Sequence, residues 1–376
     1  MARLKNSHKR QRTRLSRVNR LIGLIEKIQR GAYVEGKEVI RKQLFPRDYI
    51  ELLLEVEKRD RDFQFFFHQK FRYEYRESIH GKEQFTVFMP SAFHLSIEKS
   101  VDYRLQCWKE AVIGNKDYST ESRTAAGKIG AIGCQDMKFE SHKTLRGDCS
   151  FEYEEDGYTH PPLIFEIAWS QSTEDLENKA MEFIKEGAGQ IRTVIGMDFS
   201  KTYSIWGTIR DKVGATADPP RGPFTVFVWR AVFDRHGQQV SNADGQPSLQ
   251  KSTYNFCDDN GDARLAEKLQ LSLRDFVPGR DIKSERWEKV KELDDAMLEL
   301  DTTTMLEYFD IALRRQKRKD DHGRPKREKI NEERRKLNEE RAAKRKAASE
   351  KEHNKWDISS LIEIGGHRLR KVPGRT

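Results

Sequence analysis

The stretch PPLIFEIAWSQSTEDLENKAMEFI, residues 161–184, decides the fold. Its first ten residues form a nearly unbroken apolar run around one acid, which is typical of a central strand buried on both faces. Ser172 then offers a helix N-cap, followed by acidic residues that suit the first turn of a helix. A buried stripe at helical spacing comes next, formed by Leu176, Ala180, Phe183 and Ile184. These residues therefore predict a strand followed by an amphipathic helix.

A second apolar strand, IRTVIGM at residues 191–197, follows this helix after Gly187-Ala188-Gly189, which end it. A strand–helix–strand unit of this length favours a crossover within one sheet. We therefore predict an α/β fold with a mixed central β-sheet flanked by helices.

Upstream of this unit the same hydrophobic periods predict two helices and four strands before Pro161. The helices are residues 45–60 and Ser91–Trp108. The strands are Lys70–Glu77 and Gln84–Met89, joined by a turn around His80-Gly81 and closed by Pro90, then Lys128–Glu140, and then Gly147–Glu154.

Downstream, β-branched and aromatic residues predict two further strands, Tyr203–Arg210 and Phe224–Phe233. Residues 236–275 are polar and are predicted to be loops. Lys283–Leu300 is predicted to be a helix. Met305–Lys351 is predicted to be a long, charged helix that is interrupted near Gly323 and Pro325.

The net charge of +9 is unevenly distributed along the 376 residues. The first 20 residues hold eight basic and no acidic residues, and residues 311–351 hold 17 basic and 8 acidic residues. The segment between them carries about −10. Basic extensions on an acidic body suit a polyanionic partner or a nuclear address. The sequence leaves these two interpretations open.

The four cysteines show no paired spacing and no Cys/His ligand set, which argues against a structural zinc and fits a reducing compartment. No apolar run is long enough to span a bilayer, so no membrane partner is predicted. We predict a nuclear location, with a mitochondrial one suggested by the acid-free, arginine-rich start and a cytoplasmic one as a further alternative. No feature of the sequence specifies an oligomeric state.

Two acids stand on neighbouring predicted strands. Asp148 lies in LRGDCSF, and Glu166 lies in LIFEIAWS. A hairpin can bring two such carboxylates to one end of a sheet, and Mg²⁺ prefers one or two carboxylates with waters completing its shell. Asp148, after Gly147, could instead be an ordinary turn residue. Glu166 is enclosed by apolar neighbours, so it must bind a metal, accept hydrogen bonds or pair with a base.

The segment from LRGDCSF through LIFEIAWSQS to IRTVIGMDF, together with the upstream FTVFMPSAFH, resembles the PD-(D/E)XK restriction-endonuclease-like superfamily. It is most similar to a branch common in filamentous fungi. The resemblance spans roughly residues 70–235. It implies a restriction-endonuclease-like core, with helical, highly charged N- and C-terminal extensions outside it.

The resemblance implies a metal-dependent nuclease in which Asp148 and Glu166 are catalytic and bind Mg²⁺ or Mn²⁺. Glu98, on the first core helix, is an additional candidate metal ligand. The usual pattern has a lysine where this chain has Ala168. Gln171 or Lys179 is expected to take the role of that lysine. The implied substrate is nucleic acid, DNA rather than RNA.

Together with the charge distribution, these features divide the chain into four predicted segments. These are a basic N-terminal arm (1–44), a nuclease-like α/β core (45–240), a polar loop and helical segment (241–310), and a basic helical tail (311–376). Two other functions remain open. The core could be a non-catalytic binding module for nucleic acid or protein, which Ala168 favours. The chain could also be a nuclear interaction protein that acts through its basic arms.

Overall fold

The computed structural model describes residues 17–30, 39–77, 83–89, 91–134, 136–141, 143–155, 157–213, 218–234, 236–278 and 296–364. The chain divides into two compact units, Met1–Lys319 and Asp320–Thr376. None of the described helices is both long enough and apolar enough to cross a membrane.

The helices of the described residues are α1 (residues 17–29), α2 (Pro46–Glu57), α3 (Arg61–Phe65), α4 (Ala92–Gly114), α5 (Thr120–Gly127), α6 (Thr173–Glu186), α7 (Ser200–Val213) and α8 (Thr302–Ile364). A π-helical turn, Phe66–Lys70, continues α3, and a 3-10 turn covers Leu273–Phe276.

The strands are β1 (Val39–Gln43), β2 (Tyr73–Glu77), β3 (Glu83–Phe88), β4 (Ile129–Gly133), β5 (Asp136–Lys138), β6 (Thr144–Arg146), β7 (Cys149–Tyr153), β8 (Leu163–Ala168), β9 (Thr193–Asp198), β10 (Phe224–Ala231), β11 (Leu249–Cys257), β12 (Lys268–Ser272) and β13 (Met297–Asp301).

The larger sheet has six strands in the order β11-β10-β9-β8-β7-β4. Strands β8 and β9 are parallel, and the other neighbours are antiparallel. All six residues of β8 are buried, as expected for a central strand. Helix α6 makes the crossover between β8 and β9, and the Ser172 hydroxyl caps it by accepting a hydrogen bond from the Asp175 N–H at 3.1 Å. The predicted α/β class with a mixed sheet flanked by helices is confirmed.

A second, five-stranded sheet has the order β1-β3-β2-β6-β5. Its core includes stacked aromatic rings, among them Tyr73 on Phe85 with centroids 4.9 Å apart. Helix α1 packs into the same core through Val18, Leu21, Ile22 and Ile25. These residues recur at helical spacing, so the part of the predicted basic arm from residue 17 to residue 29 is an ordinary packed helix. Residues 39–43 of that arm form strand β1, so the prediction of an arm is wrong there, and residues 1–16 and 31–38 lie outside the described residues.

The prediction of a strand at Tyr203–Arg210 is wrong, because these residues belong to helix α7. The aromatic and β-branched residues of this segment favoured a strand. Their spacing is helical, however, and Thr202 and Trp206, four residues apart, are fully buried on one face. The Asp198 carboxylate accepts a hydrogen bond from the Ser200 N–H at 2.9 Å at the start of this helix.

The central sheet continues past the predicted core boundary at residue 240. Strand β11 pairs along the whole of β10, although residues 236–275 were predicted to be polar loops. Strands β12 and β13 form a separate ribbon whose inward residues alternate with exposed ones. The prediction of a helix at Lys283–Leu300 is therefore wrong for residues 297–300, and its residues 283–295 lie outside the described part of the chain.

Helix α8 runs through Gly323 and Pro325, so the predicted interruption there is wrong. A proline removes one helical hydrogen bond, and the strong helix formers on both sides of it keep the helical conformation. The predicted turn at His80-Gly81, the strand-closing Pro90 and the last residues of the predicted tail, 365–376, fall outside the described residues.

Gly196 lets β9 approach its neighbours closely. A Cβ at this position would lie 2.7 Å from Trp229 Cζ3 and 2.9 Å from Leu176 Cδ2. We expect Gly196→Ala to lower the free energy of unfolding by about 1–3 kcal/mol through overpacking. Urea unfolding measures this effect. Gly207→Ala on α7 is the matched control, because a methyl group added there would meet nothing within 4 Å. Equal stability of the Gly196→Ala variant and the wild type would contradict the packing described here.

Candidate active site

Asp148 and Glu166 converge at one end of the central sheet. Asp148 directly precedes β7, and its Oδ2 accepts a hydrogen bond of 2.8 Å from the backbone N–H of Ile167 in β8. This bond places the Asp148 carboxylate beside Ile167, the residue that follows Glu166 in β8. Gly147 permits the close approach of β7 to β8, since a Cβ there would lie 2.8 Å from Ile164 Cγ2.

Glu166 is a buried carboxylate, with 1% of its surface exposed. Its Oε2 accepts a hydrogen bond from Lys179 Nζ at 2.7 Å. Its Oε1 is buried and has no hydrogen-bond partner among the described residues. Burial raises the pKa of Glu166 to about 8, against the lowering effect of Lys179 and with a further increase from Asp148. This carboxyl group therefore has one oxygen committed to Lys179 and one oxygen without a partner.

Lys179 reaches this acid from helix α6 and is almost fully buried. Its Nζ contacts Glu166 Oε2, Glu74 Oε1 at 2.5 Å and the carbonyl oxygen of Arg146 at 2.9 Å. Burial alone would lower the pKa of Lys179, but the carboxylates of Glu166 and Glu74 raise it overall. Its Nζ thus donates hydrogen bonds to Glu166 and to the Arg146 carbonyl oxygen and forms an ion pair with Glu74.

Two residues of the smaller sheet complete the site, and the sequence prediction missed both. Glu74 lies within β2 and is fully buried. Arg72 directly precedes β2 and lies between Asp148, at 3.9 Å, and Glu98, at 3.6 Å. Glu74 could have been identified in the same way as Glu166, because it is an acid among the aromatic residues of FRYEY.

The other predicted site residues occupy different positions. Gln171 lines the pocket beside Asp148 and Lys179. Glu98, on α4, pairs with Arg72 and is not among the residues that line the pocket. Burial raises the pKa of Glu98, and Arg72 opposes this increase. His94, which the sequence did not single out, lines the pocket, and its Nδ1 lies 2.7 Å from Ser91 Oγ.

The pocket has a volume of about 30 Å³, which is enough for a water molecule or a small ion. Around it, five ion pairs join three cations to five carboxylates. The cations are Arg72, Arg146 and Lys179, and the acids are Glu74, Glu98, Asp136, Asp148 and Glu166. When all of them are ionised, two negative charges remain uncompensated. Two protons or one divalent cation would balance the cluster.

Asp148 and Glu166 are the residues that would hold Mg²⁺ or Mn²⁺. The described part of the chain contains no group of three or more His, Cys, Asp and Glu side chains arranged to hold a metal. Mg²⁺ commonly takes one or two carboxylates and keeps several waters, so two ligands suffice. Asp148 would supply one such carboxylate, and the buried Oε1 of Glu166, which has no hydrogen-bond partner among the described residues, would supply the other.

The raised pKa of Glu166 predicts a pH dependence of the stability. Between pH 4.5 and about 8 the folded protein retains a proton on Glu166 that the unfolded chain has released. The stabilising contribution of this group is thus present below pH 4.5 and is lost as the pH rises toward 8. In EDTA, we expect Glu166→Gln to become more stable relative to the wild type as the pH rises through this range.

Urea unfolding of both proteins at several pH values measures this difference. Glu152→Gln, at an exposed position on β7, is the control for a simple loss of one carboxylate. The free energy of unfolding of the wild type minus that of Glu166→Gln is the quantity to compare. If this difference stays constant with pH, burial does not keep Glu166 protonated.

The chain matches no protein-family model, no curated protein and no solved structure.

Proposed function

We propose that this chain is a metal-dependent nuclease-like protein that hydrolyses phosphodiester bonds of nucleic acid, with DNA favoured over RNA. One observation carries the proposal: Asp148 and Lys179 line one pocket, and the buried carboxyl group of Glu166 beside it pairs with Lys179. Buried clusters of perturbed carboxylates are more common at functional sites than elsewhere. The position of the cluster on β7, β8 and α6 also supports the restriction-endonuclease-like core implied by the sequence.

Asp148 and Oε1 of Glu166 would hold Mg²⁺ or Mn²⁺. The bound ion would supply Lewis-acid stabilisation of phosphoryl oxygens and a more acidic water. Lys179 keeps Glu166 oriented from α6, in place of a lysine at position 168. Gln171, which lines the pocket, would orient a water molecule with its side-chain amide.

The charge distribution supports a polyanionic partner. The surplus of basic residues in 1–20 and 311–351 would add affinity for phosphates without sequence preference, and salt would weaken it. The same surplus is compatible with a nuclear location. Glu98, which pairs with Arg72, would be an additional ligand.

A non-catalytic nucleic-acid-binding module is the second candidate. The observation that favours it is the close contact of Lys179 Nζ with three protein oxygens, two from carboxyl groups and one from the backbone. A lysine held in this way contributes to folding whether or not the pocket is catalytic.

The deciding experiment incubates the full chain with single-stranded DNA, duplex DNA and RNA, each with Mg²⁺, Mn²⁺, Ca²⁺ or EDTA. We expect cleavage with Mg²⁺ or Mn²⁺ and none with EDTA. Cleavage that persists in EDTA would exclude the metal-dependent mechanism. Binding without cleavage under any metal condition would favour the non-catalytic module.

A further inference from the structure

A nuclease site needs a positive group that can face the phosphate, and Lys179 does not provide one. Its Nζ contacts Glu166, Glu74 and a backbone carbonyl. Position 168, where the related motif carries a lysine, is a fully buried alanine. The charge that develops on the phosphoryl oxygens must therefore be stabilised by another residue.

Three cationic residues line the pocket, namely Arg72, Arg146 and Lys179. Arg146 is committed, because its NH1 donates to the Phe71 carbonyl oxygen at 2.8 Å and its Nε lies 3.3 Å from Asp136 Oδ1. Arg72 is held differently. Its NH1 is 3.9 Å from Asp148 Oδ1, and its NH2 is 3.6 Å from Glu98 Oε2. Both distances are too long for a hydrogen bond.

The backbone of Arg72 is fixed, although its guanidinium is only loosely paired. Its carbonyl oxygen accepts a hydrogen bond of 2.9 Å from the Phe88 N–H, which ties it to the end of β3. Its side chain remains 15% exposed and lines the pocket beside Asp148. A planar guanidinium with five donors matches two oxygens of a phosphate group, and it stays charged at every working pH.

We propose that Arg72 is the phosphate-binding catalytic residue of this site, donating to the non-bridging oxygens of the scissile phosphodiester. This inference rests on the proposed function. In the step it assists, a water oxygen bonds to phosphorus while the bond from phosphorus to the leaving sugar oxygen breaks. The water gives a proton to solvent, and the leaving oxygen takes a proton from solvent. Arg72 neither gains nor loses a proton.

The test compares Arg72→Gln and Arg72→Lys with the wild type. The matched control is Arg221→Gln, which removes an arginine that pairs with Asp310 and does not line the pocket. Cleavage of a fluorescent DNA oligonucleotide with Mn²⁺ gives kcat and KM, Ca²⁺ supports a binding measurement without turnover, and thermal melting reports folding.

We expect Arg72→Gln to lower kcat by about 100- to 1,000-fold, which is the usual effect of removing one donor to a developing oxyanion. Arg72→Lys should recover part of this loss, since it keeps the charge and loses the two-pronged geometry. Arg221→Gln should match the wild type. Wild-type kcat in both Arg72 variants would overturn the proposal. If Arg72→Gln does not fold, Arg72→Lys alone tests the proposal. A wild-type kcat and an unchanged melting temperature in Arg72→Lys would overturn the proposal.

The same series separates this proposal from the proposed function. If the wild type cleaves nothing, the nuclease assignment fails, and Arg72 is then judged by binding of the oligonucleotide in Ca²⁺. A loss of affinity of at least about tenfold in Arg72→Gln, beyond that in Arg221→Gln, would still support phosphate contact by Arg72. Equal affinities would overturn it.

Discussion

The variant Asp148→Asn should lose metal-dependent cleavage by at least about 100-fold while it remains folded, because an amide cannot replace a charged oxygen ligand. Its side-chain oxygen can still accept the hydrogen bond from the Ile167 N–H that positions Asp148. We therefore expect the melting temperature to change little. Calorimetric titration with Mn²⁺ and single-turnover cleavage measure the two parts of the effect.

Asp259→Asn is the control for the loss of one carboxylate. Asp259 pairs with Lys201 on the surface, and 80% of its side chain is exposed. This control variant should cleave and bind Mn²⁺ like the wild type. If Asp148→Asn also cleaved like the wild type, Asp148 would not be a metal ligand. The proposed function would then lose one of the two carboxylates on which it depends.

Lys179→Met should lower the free energy of unfolding by about 3–5 kcal/mol, the range found when one partner of a buried ion pair is removed. The variant would leave the carboxyl groups of Glu166 and Glu74 buried beside a thioether. Urea unfolding at pH 7 measures this loss.

Lys185→Met is the matched control, since Lys185 lies on the same helix and is exposed. It should change the stability by less than about 0.5 kcal/mol, as is usual for surface substitutions. A double variant, Glu74→Gln with Lys179→Met, should be more stable than Lys179→Met alone, because one of the two buried acids is neutral. Equal instability of the single and double variants would contradict the coupling of Glu74 to Lys179.

The unit from β8 through α6 to β9 could be predicted from the sequence because each element has its own local hydrophobic period. Lys179 could be predicted as a site candidate for the same reason, since it stands next to the buried residue Ala180 on α6. The convergence of Asp148 and Glu166 followed from strand order alone. Short-range patterns are informative wherever the partners belong to adjacent elements.

Arg72 and Glu74 could not be predicted as site residues in this way. They come from the smaller sheet, and Glu74 meets Lys179 more than 100 positions further along the chain. No local period indicates which distant base a buried acid will meet. Helix α7 was missed for another reason, because residue preference and residue spacing disagreed there and tertiary burial of Trp206 followed the spacing. The ribbon of β12 and β13 likewise depends on pairing between segments that are far apart in sequence.

The enclosed position of Ala168 limits how this protein can be engineered. Its methyl group belongs to the core formed with Leu176 and Ala180 of α6. A lysine placed at this position would drive a long charged side chain into that core and would destabilise the fold. Substitutions intended to test or strengthen the proposed activity should therefore begin at Ser170, which lines the pocket.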